Sequence, residues 1–232
     1  MNAVITGGTK GIGRAIADLL ASKGIDLYIC SRSTSDLEKM KSAIETQHGV
    51  SVYTAVVDMS DKNAVKGFAA DILNEVEQVD ILINNAGLFI PGALAEEEDG
   101  ALEKMINTNL YSAYHLSRAL LPGMISNGHG HIFNMCSIAS KIAYPNGGSY
   151  SISKFALLGF SKVLREELKE KGIKVTSILP GATWSNSWAG VDLPKDRLME
   201  AEDIAIAVWG ALQMSPSAVM EEIILRPQLG DL

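Results

Sequence analysis

The chain has 232 residues, 47% of them apolar, and carries 27 acidic against 20 basic side chains for a net charge of −7. That length and apolar content suit one α/β domain with a sizeable core, while an acidic balance without a basic cluster argues against recognition of nucleic-acid phosphates and leaves small-molecule chemistry. No charged leader precedes Val4 and no run of eighteen apolar residues occurs, so the chain is read as cytoplasmic, with no membrane partner.

A first strand over 2–6 runs at once into Thr6-Gly7-Gly8-Thr9-Lys10-Gly11-Ile12-Gly13, and then into the apolar-periodic stretch from Ala15 to Leu20. This reads as strand, glycine loop, helix. Gly7, Gly11 and Gly13 permit backbone angles closed to other residues and let a diphosphate approach main-chain N–H groups at a helix N-terminus. The spacing is G-x-x-x-G-x-G and not G-x-G-x-x-G, so the inference rests on the mechanism and not on the fingerprint.

Further strands are expected near 25–31, 51–57, 80–84, 130–136, 173–179 and 221–226, with helices over 34–46, 61–77, 98–126, 151–170 and 201–213. Continuous apolar runs such as Ile81-Leu82-Ile83 suit parallel strands covered on both faces. The alternation predicts an α/β fold: a single Rossmann-like, doubly wound parallel sheet of about seven strands with helices on both faces. Cys30 and Cys136 fall in core strands and read as small buried hydrophobes. His129 and His131 flank Gly130 in what reads as a turn, and no metal site is expected.

Tyr150-Ser151-Ile152-Ser153-Lys154 follows Ser137 by thirteen residues. On a helix, residues i and i+4 point the same way, which brings the Lys154 ammonium near the Tyr150 phenol. At about 5 Å and an effective dielectric near 20, a unit charge contributes roughly 3 kcal/mol, or roughly two pKa units off a phenol that starts near 10. A tyrosine so tuned is a proton donor near neutral pH.

The glycine loop, Asp58 after the third strand, Asn84-Asn85-Ala86-Gly87 after the fourth, Asn109, Ser137, Tyr150 with Lys154, and Pro180-Gly181 after the sixth resemble, in order, the stations of the short-chain dehydrogenase/reductase family in its common short form. The resemblance covers the whole chain. It implies that Ser137 holds a substrate carbonyl, that Tyr150 gives it a proton as hydride arrives from a nicotinamide, and that Lys154 holds the nicotinamide ribose and lowers the tyrosine pKa. Asn109 is expected to kink its helix and hold a relay water. The resemblance also implies that Asp58 and Met59 flank the adenine, that Asn85, Ala86 and Gly87 back its ribose, and that Pro180-Gly181 begins a loop reaching the carboxamide. Ser185 stands where Thr is usual and Thr183 where an aliphatic residue is usual.

The second strand ends in Ser31-Arg32, where an NAD-preferring site places an acid. With no carboxylate expected there, Arg32 offers a fork suited to a 2′-phosphate, and Lys10 adds a second cation, so the expected cofactor is NADPH/NADP+. Residues 1–232 are read as one NADP-binding domain with a substrate lid near 184–198, its Trp184 and Trp188 facing Tyr144 across the substrate. The expected activity is reduction of a ketone, with a C-terminal resemblance to bacterial sepiapterin-reductase-like members. A 3-oxoacyl-[acyl-carrier-protein] reductase is an alternative, and an NADPH-binding sensor or scaffold is the non-enzyme alternative. Apolar faces on 98–126 and 151–170, with the family's habit of pairing those helices, imply a homodimer or homotetramer.

Overall fold

The computed structural model describes residues 1–185 and 192–231. Strand alternation explains the unbroken apolar runs, because each run feeds two cores at once. In β1 (Asn2–Thr6), Ala3 and Ile5 enter one core while Val4 enters the other. β2 (Asp26–Ser31) divides Leu27 and Ile29 from Cys30 in the same way, and β4 (Ile81–Asn84) divides Ile81 and Ile83 from Leu82.

On the first face lie α1 (Gly11–Ser22), α2 (Thr34–His48) and α7 (Ala201–Leu212), which contribute Ile16, Leu20, Met40, Ile44, Ile204 and Val208. α3 (Lys62–Glu75), α5 (Ser112–Asn127) and α6 (Gly148–Leu168) cover the second with Phe68, Ile72, Leu116, Leu120, Leu164 and Leu168. Completing the sheet are β3 (Val52–Val56), β5 (Gly130–Met135), β6 (Ile173–Pro180) and β7 (Glu222–Leu225).

The seven strands run in the order β3-β2-β1-β4-β5-β6-β7, every neighbouring pair parallel. All carboxyl ends therefore share one edge of the sheet. The chain reverses its direction of winding between β1 and β4, which opens a crevice at that edge where such sheets bind ligands. The expected doubly wound fold is the observed one.

Two local expectations need correction. Residues 98–126 do not form one helix: α4 (Ala101–Ile106) passes into a π-helical turn, Asn107–Tyr111, before α5 begins. Asn109 is buried in that turn, and its side chain bonds Leu88 and Ser153, an inward commitment that the widened turn accommodates. His131 lies inside β5, within the strand expected over 130–136 and not in the turn read around Gly130; it is buried and stacked at 4.0 Å on Phe133, with Nε2 2.7 Å from Thr176 Oγ1. Gly130 begins that strand at a φ of 154°, a backbone angle that L side chains rarely adopt.

Both cysteines are free and buried. Among the described residues, no helix is long and apolar enough to cross a membrane, and no three His, Cys, Asp or Glu side chains gather to hold a metal ion.

Candidate active site

The glycine loop leaves β1 at the carboxyl edge and enters α1 directly. Gly7 and Gly11 take φ of 65° and 52°, angles that L side chains rarely adopt. Gly13 is required for a different reason: a Cβ there would fall 2.4 Å from Gly7 O and 2.5 Å from Asn85 Nδ2. Lys10 is the N-cap of α1 and supplies no side-chain cap, and the first turn carries no acid, so its N–H groups are offered to an anion. Thr9 sits half-exposed on this loop, and Ile12 packs back onto the core.

Thr6 joins the loop to the strand beside it. Its buried Oγ1 accepts from Asn85 N at 3.0 Å and Ala86 N at 2.9 Å, while Asn85 Nδ2 donates to Thr6 O at 2.9 Å and Gly7 O at 3.1 Å. The segment after β4 is thereby bound to the glycine loop across the crevice. A cradle of positive-φ glycines, open helix N–H groups and no room for a Cβ fits the diphosphate of a dinucleotide.

At the end of β2, Ser31 Oγ accepts from Ser33 N at 3.2 Å, and Arg32 is exposed. Asp58 follows β3 and is exposed; its bonds from the Ser60 N–H and hydroxyl hold its carboxyl below the usual carboxylate range, with Arg32 adding to the effect. Met59 is buried, its sulfur 3.5 Å from Cys30 Sγ. Lys10 departs from expectation: its ammonium is 2.7 Å from Asp36 Oδ2, in the first turn of α2. The acid absent from the end of β2 is thus present one helical turn later, folded back toward the loop, and it occupies the second cation.

Ser137, Tyr150 and Lys154 assemble just beyond the end of β5. Ser137 caps a 3₁₀ turn, Ile138–Ser140, with Oγ accepting from Ala139 N at 3.1 Å. Tyr150 and Lys154 lie on α6, as expected. Lys154 is 4% exposed, its Nζ donating to Met135 O at 2.8 Å and lying 5.7 Å from the Tyr150 ring centre. A Cβ on Gly87 would lie 3.6 Å from Asn109 Oδ1 and 3.7 Å from Lys154 Nζ, so these groups share one small space.

The charge tuning does not take the expected form. Burial raises the Tyr150 phenol above its ordinary value, with a hydrogen bond to Ser137 pulling the other way. Burial also lowers the Lys154 ammonium to about 8. The expectation treated two groups facing each other at an effective dielectric near 20, with no cost of burial. In the structure Lys154 turns to a backbone carbonyl, and the dominant effect on the phenol is desolvation.

Asn109 Oδ1 accepts from Leu88 N at 2.6 Å, and its Nδ2 donates to Leu88 O at 2.9 Å and Ser153 Oγ at 2.8 Å. Ser153, between Tyr150 and Lys154, donates its own hydroxyl hydrogen bond to the Tyr150 backbone carbonyl at 2.7 Å. Phe89 stands edge-on to Tyr150 at 4.9 Å.

Pro180 ends β6 and Gly181 N donates to Leu225 O at 2.7 Å. Thr183 is buried, its hydroxyl donating to Gly181 O at 3.0 Å. Trp184 and Ser185 are half-buried, and Ser185 Cβ would lie 3.6 Å from a Cβ on Gly11, which places this loop over the glycine loop. Thr183 bridges to Met199, with Trp184 N donating to Met199 O at 2.9 Å. The stretch between Thr183 and Met199 therefore begins and ends on paired backbone. Trp188 lies outside the described residues. Tyr144 borders an apolar groove of about 530 Å³ with Leu94, Ile152 and Phe155, on the flank of α6; burial and neighbouring Tyr150 push its phenol up to about 12.

The sequence did not reveal the tether made by the Thr6 hydroxyl, the Ser153 link to Asn109 or the contact of Phe89 with Tyr150. A glycine loop on the first strand of a parallel sheet, with a serine, tyrosine and lysine converging two strands away, defines a dinucleotide-binding oxidoreductase of the doubly wound class. The short chain dehydrogenase family profile matches residues 1–194. The chain is 34% identical over 237 residues to a sepiapterin reductase of Chlorobaculum tepidum, covering 99% of this chain and 97% of that one. It is 36% identical over 216 residues to the 3-oxoacyl-[acyl-carrier-protein] reductase of Haemophilus influenzae, covering 89% and 88%. Its fold superposes with a TM-score of 0.91 on an alcohol dehydrogenase from the archaeon Thermococcus sibiricus complexed with 5-hydroxy-NADP, at 29% identity and with 100% and 98% of the two chains covered. The chain belongs to the short chain dehydrogenase family and is an oxidoreductase of it.

Proposed function

We propose that this protein is an NADPH-dependent carbonyl reductase that converts a ketone to an alcohol, with residues 1–232 forming one domain and 184–198 its lid. The observation that carries the reading is the convergence of Ser137, Tyr150 and Lys154 at the edge that holds the glycine cradle. Bound reduced nicotinamide supplies hydride to the carbonyl carbon. Gly7, Thr9, Gly11, Ile12 and Gly13 would hold the diphosphate, with Asp58 and Met59 at the adenine and Asn85, Ala86 and Gly87 at its ribose. Pro180, Gly181, Thr183 and Ser185 would line the nicotinamide end, where Lys154 would hold the second ribose. Ser31 and Arg32 would receive the 2′-phosphate; Lys10 would join them by leaving Asp36.

Ser137 donates to the carbonyl oxygen and Tyr150 gives that oxygen its proton. A phenol kept protonated by burial is in the state a donor needs, and alkoxide formation provides the driving force for release. Lys154, as an ammonium below about pH 8, helps return a proton to Tyr150 through the Asn109 neighbourhood. Tyr144 and Trp184, with Trp188 of the lid, would contact the substrate. Half-exposed Ile152, Phe155 and Val163 on α6 support pairing of two copies, as a homodimer or homotetramer, in the cytoplasm.

The C. tepidum relative supports a pterin side-chain ketone, and the H. influenzae relative supports a 3-oxoacyl thioester as the second reading. NADPH oxidation against sepiapterin, 3-oxoacyl thioesters, diketones and simple aldehydes discriminates them. NADPH binding with no oxidation across that panel would instead mark a sensor or scaffold. Tyr150→Phe is expected to lower turnover of an accepted ketone by at least roughly 100-fold; wild-type turnover would end the assignment.

A further inference from the structure

α6 carries both Tyr150 and Lys154, yet its own sequence cannot cap it. The helix begins Gly147-Gly148-Ser149-Tyr150, and its N-cap Gly147 has no side chain to receive the first free N–H groups. The missing acceptor comes from 52 residues away: Glu97 Oε1 accepts from Ser149 N at 2.8 Å, and its other oxygen accepts the Ser149 hydroxyl. Ser149 is 2% exposed and Glu97 is half-buried, so the contact is partly sheltered from solvent, and Ser149 lies one residue before Tyr150. A carboxylate at a helix N-terminus is also favoured by the helix dipole.

The surroundings are built to admit this side chain. A Cβ on Gly148 would fall 2.1 Å from Glu97 Oε1, and one on Gly92 would fall 2.8 Å from Glu97 Cγ. Gly92 N donates to Asn146 O at 3.1 Å, and Gly92 bridges to Gly147, bringing the two backbones together beneath the carboxylate. The same strap, from Asn85 to Glu97, is tied at its start to Thr6, at Leu88 to Asn109, and through Phe89 to the face of Tyr150.

We infer that Glu97 is a positioning residue for the reaction: it fixes the first turn of α6 and hence the place of the Tyr150 hydroxyl relative to the carbonyl oxygen. It acts through the Ser149 N–H and hydroxyl. Because proton donation depends on sub-ångström placement, a loosened first turn lowers turnover while the cofactor cradle, built on α1 and β4, is left intact. The inference rests on Tyr150 as the proton donor.

The test uses the full chain, NADPH and the best ketone from the panel above, with kcat and KM measured beside NADPH affinity by fluorescence. Glu97→Ala is expected to lower kcat roughly 10- to 100-fold with NADPH affinity within about twofold of the unsubstituted protein. Glu97→Gln, whose amide oxygen still accepts from Ser149 N, is expected to stay within about threefold. If Glu97→Ala does not fold, Gly92→Ala, whose Cβ displaces Glu97 while keeping its charge, supplies the same comparison and the same expected kcat loss. The inference is overturned by an alanine variant of wild-type kcat, by Glu97→Gln falling as far as Glu97→Ala, or by NADPH affinity falling in step with kcat. A Tyr150→Phe protein that keeps full turnover sinks the underlying assignment instead, so the two failures are separable.

Discussion

Thr6→Val removes one oxygen and keeps the shape of a side chain that is 1% exposed. That oxygen accepts two backbone N–H groups, those of Asn85 at 3.0 Å and Ala86 at 2.9 Å. Valine fills the same volume, so no cavity forms and the loss is purely polar. Each lost bond contributes about 1 kcal/mol, and stranding a partly buried donor adds to that, giving an expected destabilisation of about 2 to 4 kcal/mol. Urea unfolding followed by fluorescence measures it as a fall in midpoint at unchanged slope. Thr6→Ser, which keeps the oxygen, should recover most of the loss. Because the two N–H groups belong to the segment that closes the dinucleotide crevice, NADPH affinity should fall in the valine variant as well. A valine protein within about 0.5 kcal/mol of the original would refute the reasoning, since the tether would then contribute nothing net.

Arg32→Asp is expected to weaken NADPH binding by roughly 100-fold and to reverse the preference toward NADH, because a 2′-phosphate would meet a carboxylate in place of a guanidinium; unchanged kcat/KM ratios for the two cofactors would remove the charge argument. His131, buried and held to about 3, is neutral in the folded protein and takes a proton on unfolding below its ordinary 6.5. The stability associated with it is complete above pH 6.5 and is lost as pH falls toward about 3, about 5 kcal/mol in all. His131→Gln should remove that component from the pH dependence of unfolding, and identical acid profiles for the two proteins would contradict it.

The sheet was readable because burial on both faces imposes its own signature: Ile81-Leu82-Ile83 cannot alternate with polar residues when Leu82 and its neighbours feed opposite cores. The glycine positions were readable for a related reason, as only sterics explain three glycines so close to a helix start. What escaped was every effect that depends on which distant segments meet. Glu97 and Ser149 are far apart in sequence, and neither belongs to a motif. Asp36 reaches Lys10 only because α2 starts at the same edge as the glycine loop. Lys154 was correctly placed near Tyr150, yet spacing alone could not reveal that Met135 O would claim its ammonium or that desolvation would outweigh charge at the phenol. His131 looked like a turn residue because a histidine beside glycine carries no mark of the Phe133 and Thr176 side chains awaiting it.

The backbone pairing of Thr183 with Met199 has an architectural consequence. A stretch whose two stems are already joined can be exchanged as a cassette, because the distance it must span is set by the stems and not by its own sequence. Lengthening such an insert costs only logarithmically in closure entropy, about 0.6 kcal/mol for each doubling. The sheet, the glycine loop and Tyr150 all lie outside the stretch between those two residues, so its length can change while they stay as they are.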